Sequence, residues 1–112
     1  MRSRISSERF KKDIKAMDKS SEGLLALKPV TFYYKSGTKD TPQFGLVAEE
    51  VAKVNPNLVV RDAKDDIYTV RYDAVNAMLL NEFLKEHRKV QELRKQIDAL
   101  TAGLQKVASD QP

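Results

Sequence analysis

The sequence predicts an α+β domain: a small body of short strands and helices, then a long C-terminal coiled-coil helix. Three observations predict it. Runs of β-branched and aromatic residues at 30–34 and 67–71 read as strands. Residues 48–54 read as a short helix with Val51 and Val54 on one side. From Val90 onward the apolar residues Val90, Leu93, Ile97, Leu100, Leu104 and Val107 recur in alternating steps of three and four. That spacing is the a/d seam of a coiled coil.

The elements follow in order. Residues 1–19 are polar and basic, with isolated apolar anchors at Ile5, Phe10, Ile14 and Met17, and read as extended or irregular. A short helix follows, capped by Asp18 or Ser20, because their side-chain oxygens can accept orphan N–H groups. Leu24, Leu25 and Leu27 give it an apolar face, and Pro29 stops it. Strand 30–34 leads into a turn at Ser36-Gly37-Thr38. A second strand, 44–47, runs into helix 48–54, which ends at Asn55-Pro56-Asn57. Segments 58–61 and 67–71 flank the polar loop 62–66 as a hairpin. Asp73 is the expected N-cap of the last helix, 72–109. Phe83 and Leu79 extend the seam backwards, but Glu86 interrupts it, and Gly103 weakens the helix near its end.

The chain has 112 residues, room for one domain. With the last helix projecting outward, the remaining body is too small to bury much apolar surface as a monomer. Net charge is +4, and the first 19 residues account for all of it, with seven Lys/Arg against three acids. A basic end can serve nucleic acid, but this one lacks a recognition-helix pattern and aromatic interleaving, so nucleic acid ranks low among partners. With no cysteine there is neither a disulfide framework nor a thiolate metal site. The single histidine, His87, sits among charged residues and reads as a solvated helix position, so no multi-histidine metal site exists. No cofactor is expected. No apolar run reaches membrane-spanning length, so no membrane partner is expected, and residues 1–5 are not a signal peptide.

One pair has chemical potential. Ser6 and Lys11 are five apart in Ser6-Ser7-Glu8-Arg9-Phe10-Lys11-Lys12-Asp13-Ile14. A serine hydroxyl becomes a nucleophile when a neighbouring neutral amine takes its proton. Burial and adjacent cations favour a neutral amine, and Arg9 and Lys12 are such cations. Spacing alone is weak support, since a serine and a lysine five apart recur by chance in polar segments. Ser7 and Lys12 offer the same spacing. Glu49-Glu50 reads as solvent-facing. Asp62, Asp65 and Asp66 match a calcium loop only loosely. Gly37 and Gly45 do not form a phosphate loop. Tyr33, Tyr34 and Tyr68 read as half-buried strand residues.

Four ordered blocks together resemble a known family. The segment from Ser6 to Ile14 is similar to the "S-D-x-R-L-K-x-x-I" opening of the intramolecular chaperone, auto-processing domains. These end endosialidase tailspikes, phage tail fibres and neck appendages, and a related domain occurs in myelin regulatory factor. Leu27-Lys28-Pro29-Val30-Thr31-Phe32-Tyr33-Tyr34 resembles the family's "L-x-x-V-x-F-x-Y" strand. Phe44-Gly45-Leu46-Val47-Ala48-Glu49-Glu50-Val51 resembles its "G-F/L-I-A-Q-E-V" segment. Tyr72-Asp73-Ala74-Val75 resembles its "V-x-Y-x-x-L" run into a terminal coiled coil.

The resemblance implies a homotrimer that helps an upstream fibre trimerise and then cuts the peptide bond before the motif serine. Ser6 would be nucleophile and Lys11 base, with Ile5–Ser6 the scissile bond. The expected domains are a stub, residues 1–5, and the chaperone domain, 6–112. The expected partners are two further copies and the upstream segment of the same precursor, a tail fibre, tailspike or bacterial surface protein. Ser7 stands where the family commonly has aspartate. Two rivals remain: a trimerisation module that does not cut, and a basic nucleic-acid-binding adaptor.

Overall fold

The computed structural model describes residues 5–110. Residues 1–4 of the expected stub and 111–112 of the expected domain lie outside the described residues. The fold is α+β, with two small antiparallel sheets and one long helix.

The N-terminal arm is irregular except for a 3₁₀ turn at Glu8–Phe10. A 3₁₀ helix, Asp18–Ala26, follows. Its tight winding puts residues three apart on one face. Accordingly Ser21 is buried and Leu24 and Leu27 are half-buried, whereas Leu25 is 77% exposed. The expected side-chain cap does not form: Met17 occupies the N-cap position, and Asp18 is the first helical residue, with φ +51°. Aspartate is among the few residues that tolerate that left-handed region.

Strand β1, Val30–Phe32, pairs with β2, Gln43–Gly45, in the register Val30↔Gly45, Thr31↔Phe44 and Phe32↔Gln43. Both are shorter than their sequence patterns. Tyr33 and Tyr34 fall beyond β1 and are exposed, as is Tyr68, so these rings are not half-buried in a single chain. Helix α1, Ala48–Val54, has the predicted bounds. A 3₁₀ turn, Pro56–Leu58, is capped by Asn55 Oδ1, which accepts the Asn57 N–H at 2.9 Å. Strands β3, Val59–Arg61, and β4, Ile67–Val70, form the expected hairpin, with an irregularity between Val60 and Arg61. Asp62 Oδ1 accepts the Lys64 and Asp66 N–H groups at 2.9 and 3.0 Å, so the loop acid serves its own turn.

Helix α2 spans Tyr72–Ser109. Arg71 stands at its N-cap position. Asp73 lies inside the first turn, where a carboxylate favours the positive end of the helix dipole. The Tyr72 hydroxyl accepts the Leu46 N–H at 3.1 Å and pins this turn to the end of β2. Gly45 makes that approach possible, because a Cβ there would stand 2.9 Å from the hydroxyl.

The core is small. Val51, Leu58, Val59 and Val70 are buried between α1, the hairpin and the first turns of α2. Accessible surface is 10009 Å², against about 6,200 Å² for a compact monomer of this mass. The radius of gyration is 22.1 Å, where a compact chain of this length has about 13 Å. Much of the excess is α2 beyond the body, with a ridge of bare apolar side chains.

Candidate functional site

The arm brings Ser6 and Lys11 together. In the 3₁₀ turn, the Phe10 N–H donates to the Ser7 carbonyl and the Lys11 N–H to the Glu8 carbonyl, each at 3.0 Å. This folds the backbone between the two residues. Lys11 Nζ then donates to Ser6 Oγ at 3.4 Å, at the long end of hydrogen-bond range. The Arg9 guanidinium lies over the Phe10 ring, 4.5 Å from its centroid. The Ser6 and Lys11 side chains sit on an exposed arm, and Ile5, the residue before Ser6, is 63% exposed.

Seven residues beyond Lys11, a clamp of polar residues fastens the 3₁₀ helix that follows the arm to α2. Ser21 Oγ, fully buried, donates to Glu82 Oε2 at 2.6 Å and accepts from Asn81 Nδ2 at 2.8 Å. Lys85 Nζ lies 2.6 Å from the same Glu82 oxygen. Asn81 Nδ2 and Lys85 Nζ both donate to the Asp18 carbonyl, at 3.0 and 3.3 Å. Glu82 is only 8% exposed. The Lys85 hydrogen bond, followed by that from Ser21, holds the Glu82 carboxyl below its usual range. The same bond from Glu82 raises Lys85. The sequence gives no sign of this clamp, because its halves lie about 60 residues apart and each looks like ordinary surface.

The other candidates fall apart. Glu50 pairs with Lys53 at 2.9 Å on the surface of α1, and Glu49 is exposed beside it. His87 is exposed and stacks on Phe83 at 6.1 Å between ring centroids. The six seam residues Val90, Leu93, Ile97, Leu100, Leu104 and Val107 lie on α2 and are 41–71% exposed in the single chain. That ridge is uncovered in one copy.

A second apolar feature has no counterpart in the sequence reading. A groove of about 570 Å³ opens between the 3₁₀ helix 18–26, the β1–β2 sheet and α2. Leu25 and Phe44, 77% and 79% exposed, stand at it.

Residues 6–60 match the model of a peptidase family described as chaperone of endosialidase. The match runs from Ser6 through both strands of the first sheet and α1 to the start of the hairpin. It supports the resemblance to an intramolecular chaperone domain carried by the first three sequence blocks, and it ends before the fourth, Tyr72–Val75. No curated protein matches the chain.

Proposed function

From this match, we propose that the chain is the C-terminal assembly chaperone of a fibre- or tailspike-like precursor, and that it releases itself by cutting Ile5–Ser6. Helix α2 joins three copies in parallel along the 90–107 seam and holds the upstream chains in register. Ser6 is the nucleophile and Lys11 its base. The observation that carries this reading is the 3.4 Å approach of Lys11 Nζ to Ser6 Oγ across the 3₁₀ turn.

The chemistry balances without a cofactor. Neutral Lys11 takes the Ser6 Oγ proton, and the oxygen attacks the Ile5 carbonyl carbon. The C–N bond breaks, and Lys11 returns the proton to the departing Ser6 nitrogen. Ile5 is then esterified to Ser6 Oγ. Water hydrolyses the ester, which leaves an Ile5 carboxylate and a domain beginning at Ser6. The serine reacts once, at its own N-terminal peptide bond, so the turnover is single.

The exposure of the dyad in one copy favours a second reading, a module that trimerises without cutting. The intact mass of a precursor carrying its native upstream sequence separates the two. Cleavage gives a fragment starting at Ser6; an uncut trimer supports the second reading.

A further inference from the structure

We infer that the apolar groove beside α2 is the seat for the α2 helix of a neighbouring copy, filled by that copy's Leu80 and Phe83. The inference rests on the parallel self-association proposed above, and it extends the interface from the coiled coil into the body.

The heptad positions identify the occupant. Carrying the seam backwards places Tyr72 and Leu79 at d and Val75 and Glu82 at g. These four residues are the contribution of α2 to the groove wall. The groove therefore opens on the d/g flank of the same helix that carries the seam. A straight helix drifts by only about 20° per heptad, so the flank persists from Tyr72 to the start of the seam. In a parallel coiled coil the g flank of one helix faces the e flank of its neighbour. On the neighbour's facing flank, Leu80 is at e and Phe83 is at a. They are 57% and 62% exposed, and a single chain leaves them bare. At the g–e contact Val75 then meets Leu80, an apolar pair where soluble coiled coils ordinarily put charged residues, while Leu79 and Phe83 continue the a/d seam beside it.

Obligate interfaces are hydrophobic and resemble a domain core cut in half. The side chains at the groove are the kind such interfaces cover: Leu25 and Phe44 are more than three-quarters exposed although they adjoin the body's own apolar surface.

The test uses the full chain and sedimentation equilibrium across nanomolar to micromolar concentration. Leu25→Asp and Phe44→Asp change the groove, Leu80→Asp changes its occupant, and Tyr33→Asp is an exposed control away from the groove. Ile97→Asp reports on the seam alone. In a single chain each of the first four positions is more than half exposed, so the fold does not depend on them. Circular dichroism verifies retained helix. We expect the first three variants to raise the dissociation midpoint at least tenfold, with the control unchanged. If the groove and Leu80 variants associate like wild type while Ile97→Asp dissociates, the seam stands and the groove inference falls. Equal weakening by Tyr33→Asp also overturns it, because the effect is then not specific to the groove. A monomeric wild type overturns the trimer reading itself.

Discussion

Ser21 Oγ and Glu82 Oε2 meet at 2.6 Å, both shielded from solvent, although 61 residues separate them in the chain. This bond, with Asn81 and Lys85 around it, holds the 3₁₀ helix that follows the Ser6–Lys11 arm against α2. A polar group buried here is tolerated because each has a partner; among the described residues no buried side-chain polar atom is left unsatisfied.

Ser21→Ala should therefore cost more than a typical serine substitution. It removes the hydroxyl and leaves the Asn81 amide and a Glu82 oxygen short of a partner. The loss should be about 1–3 kcal/mol, read from urea unfolding monitored by circular dichroism. An effect within the scatter of surface mutations would mean that water replaces the hydroxyl without penalty.

The clamp should also set an acid limit. Glu82 is held below its ordinary value of 4.5, first by Lys85 and then by Ser21. A carboxyl depressed on folding contributes stability that is present above its unfolded pKa and lost as pH falls through the folded one. Lys85, raised above 10.5 by Glu82, contributes stability present below that value and lost as pH rises through its folded pKa. Wild type should lose stability below about pH 4.5, whereas Glu82→Gln, less stable at neutral pH, should lose less on acidification. A gap between the two proteins that stays constant from pH 7 to pH 3 would show that Glu82 is not responsible.

Glu86 occupies a d position between the groove and the seam, 66% exposed at its side chain and 3.9 Å from Lys89 within one chain. In the proposed trimer three such carboxylates would converge, and polar layers in a coiled-coil seam set register at a cost in stability. Glu86→Leu should tighten association and relax the choice of register or stoichiometry. Ile97→Asp should do the opposite, because buried unpaired carboxylates are costly. Sedimentation of both variants checks this. A weaker Glu86→Leu assembly would show that the carboxylate has a stabilising partner across the interface.

In a precursor with native sequence upstream of Ser6, Ser6→Ala and Lys11→Ala should each stop processing and leave assembly intact. Ser7→Ala and Lys12→Ala should still cut. Loss of a general base slows a step by ~10²–10⁴-fold, so Lys11→Ala can retain a trace on long incubation. Because the 3.4 Å contact lies within one chain, co-assembled Ser6→Ala and Lys11→Ala chains should not rescue each other. Mass spectrometry of the mixture reads this directly. Efficient cutting of the Lys11→Ala chain in mixed assemblies would put serine and lysine on different copies.

The sequence by itself determined the parts whose signals are local. Alternating steps of three and four marked the apolar ridge of α2, and β-branched runs bounded by turn residues marked the β3–β4 hairpin. The bounds of α1 followed from its flanking turn residues, and Ser6 and Lys11, five positions apart, were near enough in the chain for one turn to join them. Each depends on residues within a few positions of one another, where backbone geometry alone decides which side chains share a face. Tertiary structure decided the rest. Period three in the 3₁₀ helix chose Ser21, Leu24 and Leu27 to face inward and turned Leu25 out, against a helix face read at ordinary spacing. No side-chain cap forms at the start of that helix; Asn81 and Lys85 of α2 donate to the Asp18 carbonyl instead. The Ser21–Glu82–Lys85 clamp and the Gly45–Tyr72 approach join segments far apart in the chain. Their residue types are indistinguishable from common surface until folding removes the water around them, because only then does a hydrogen bond or a missing Cβ decide which arrangement is stable.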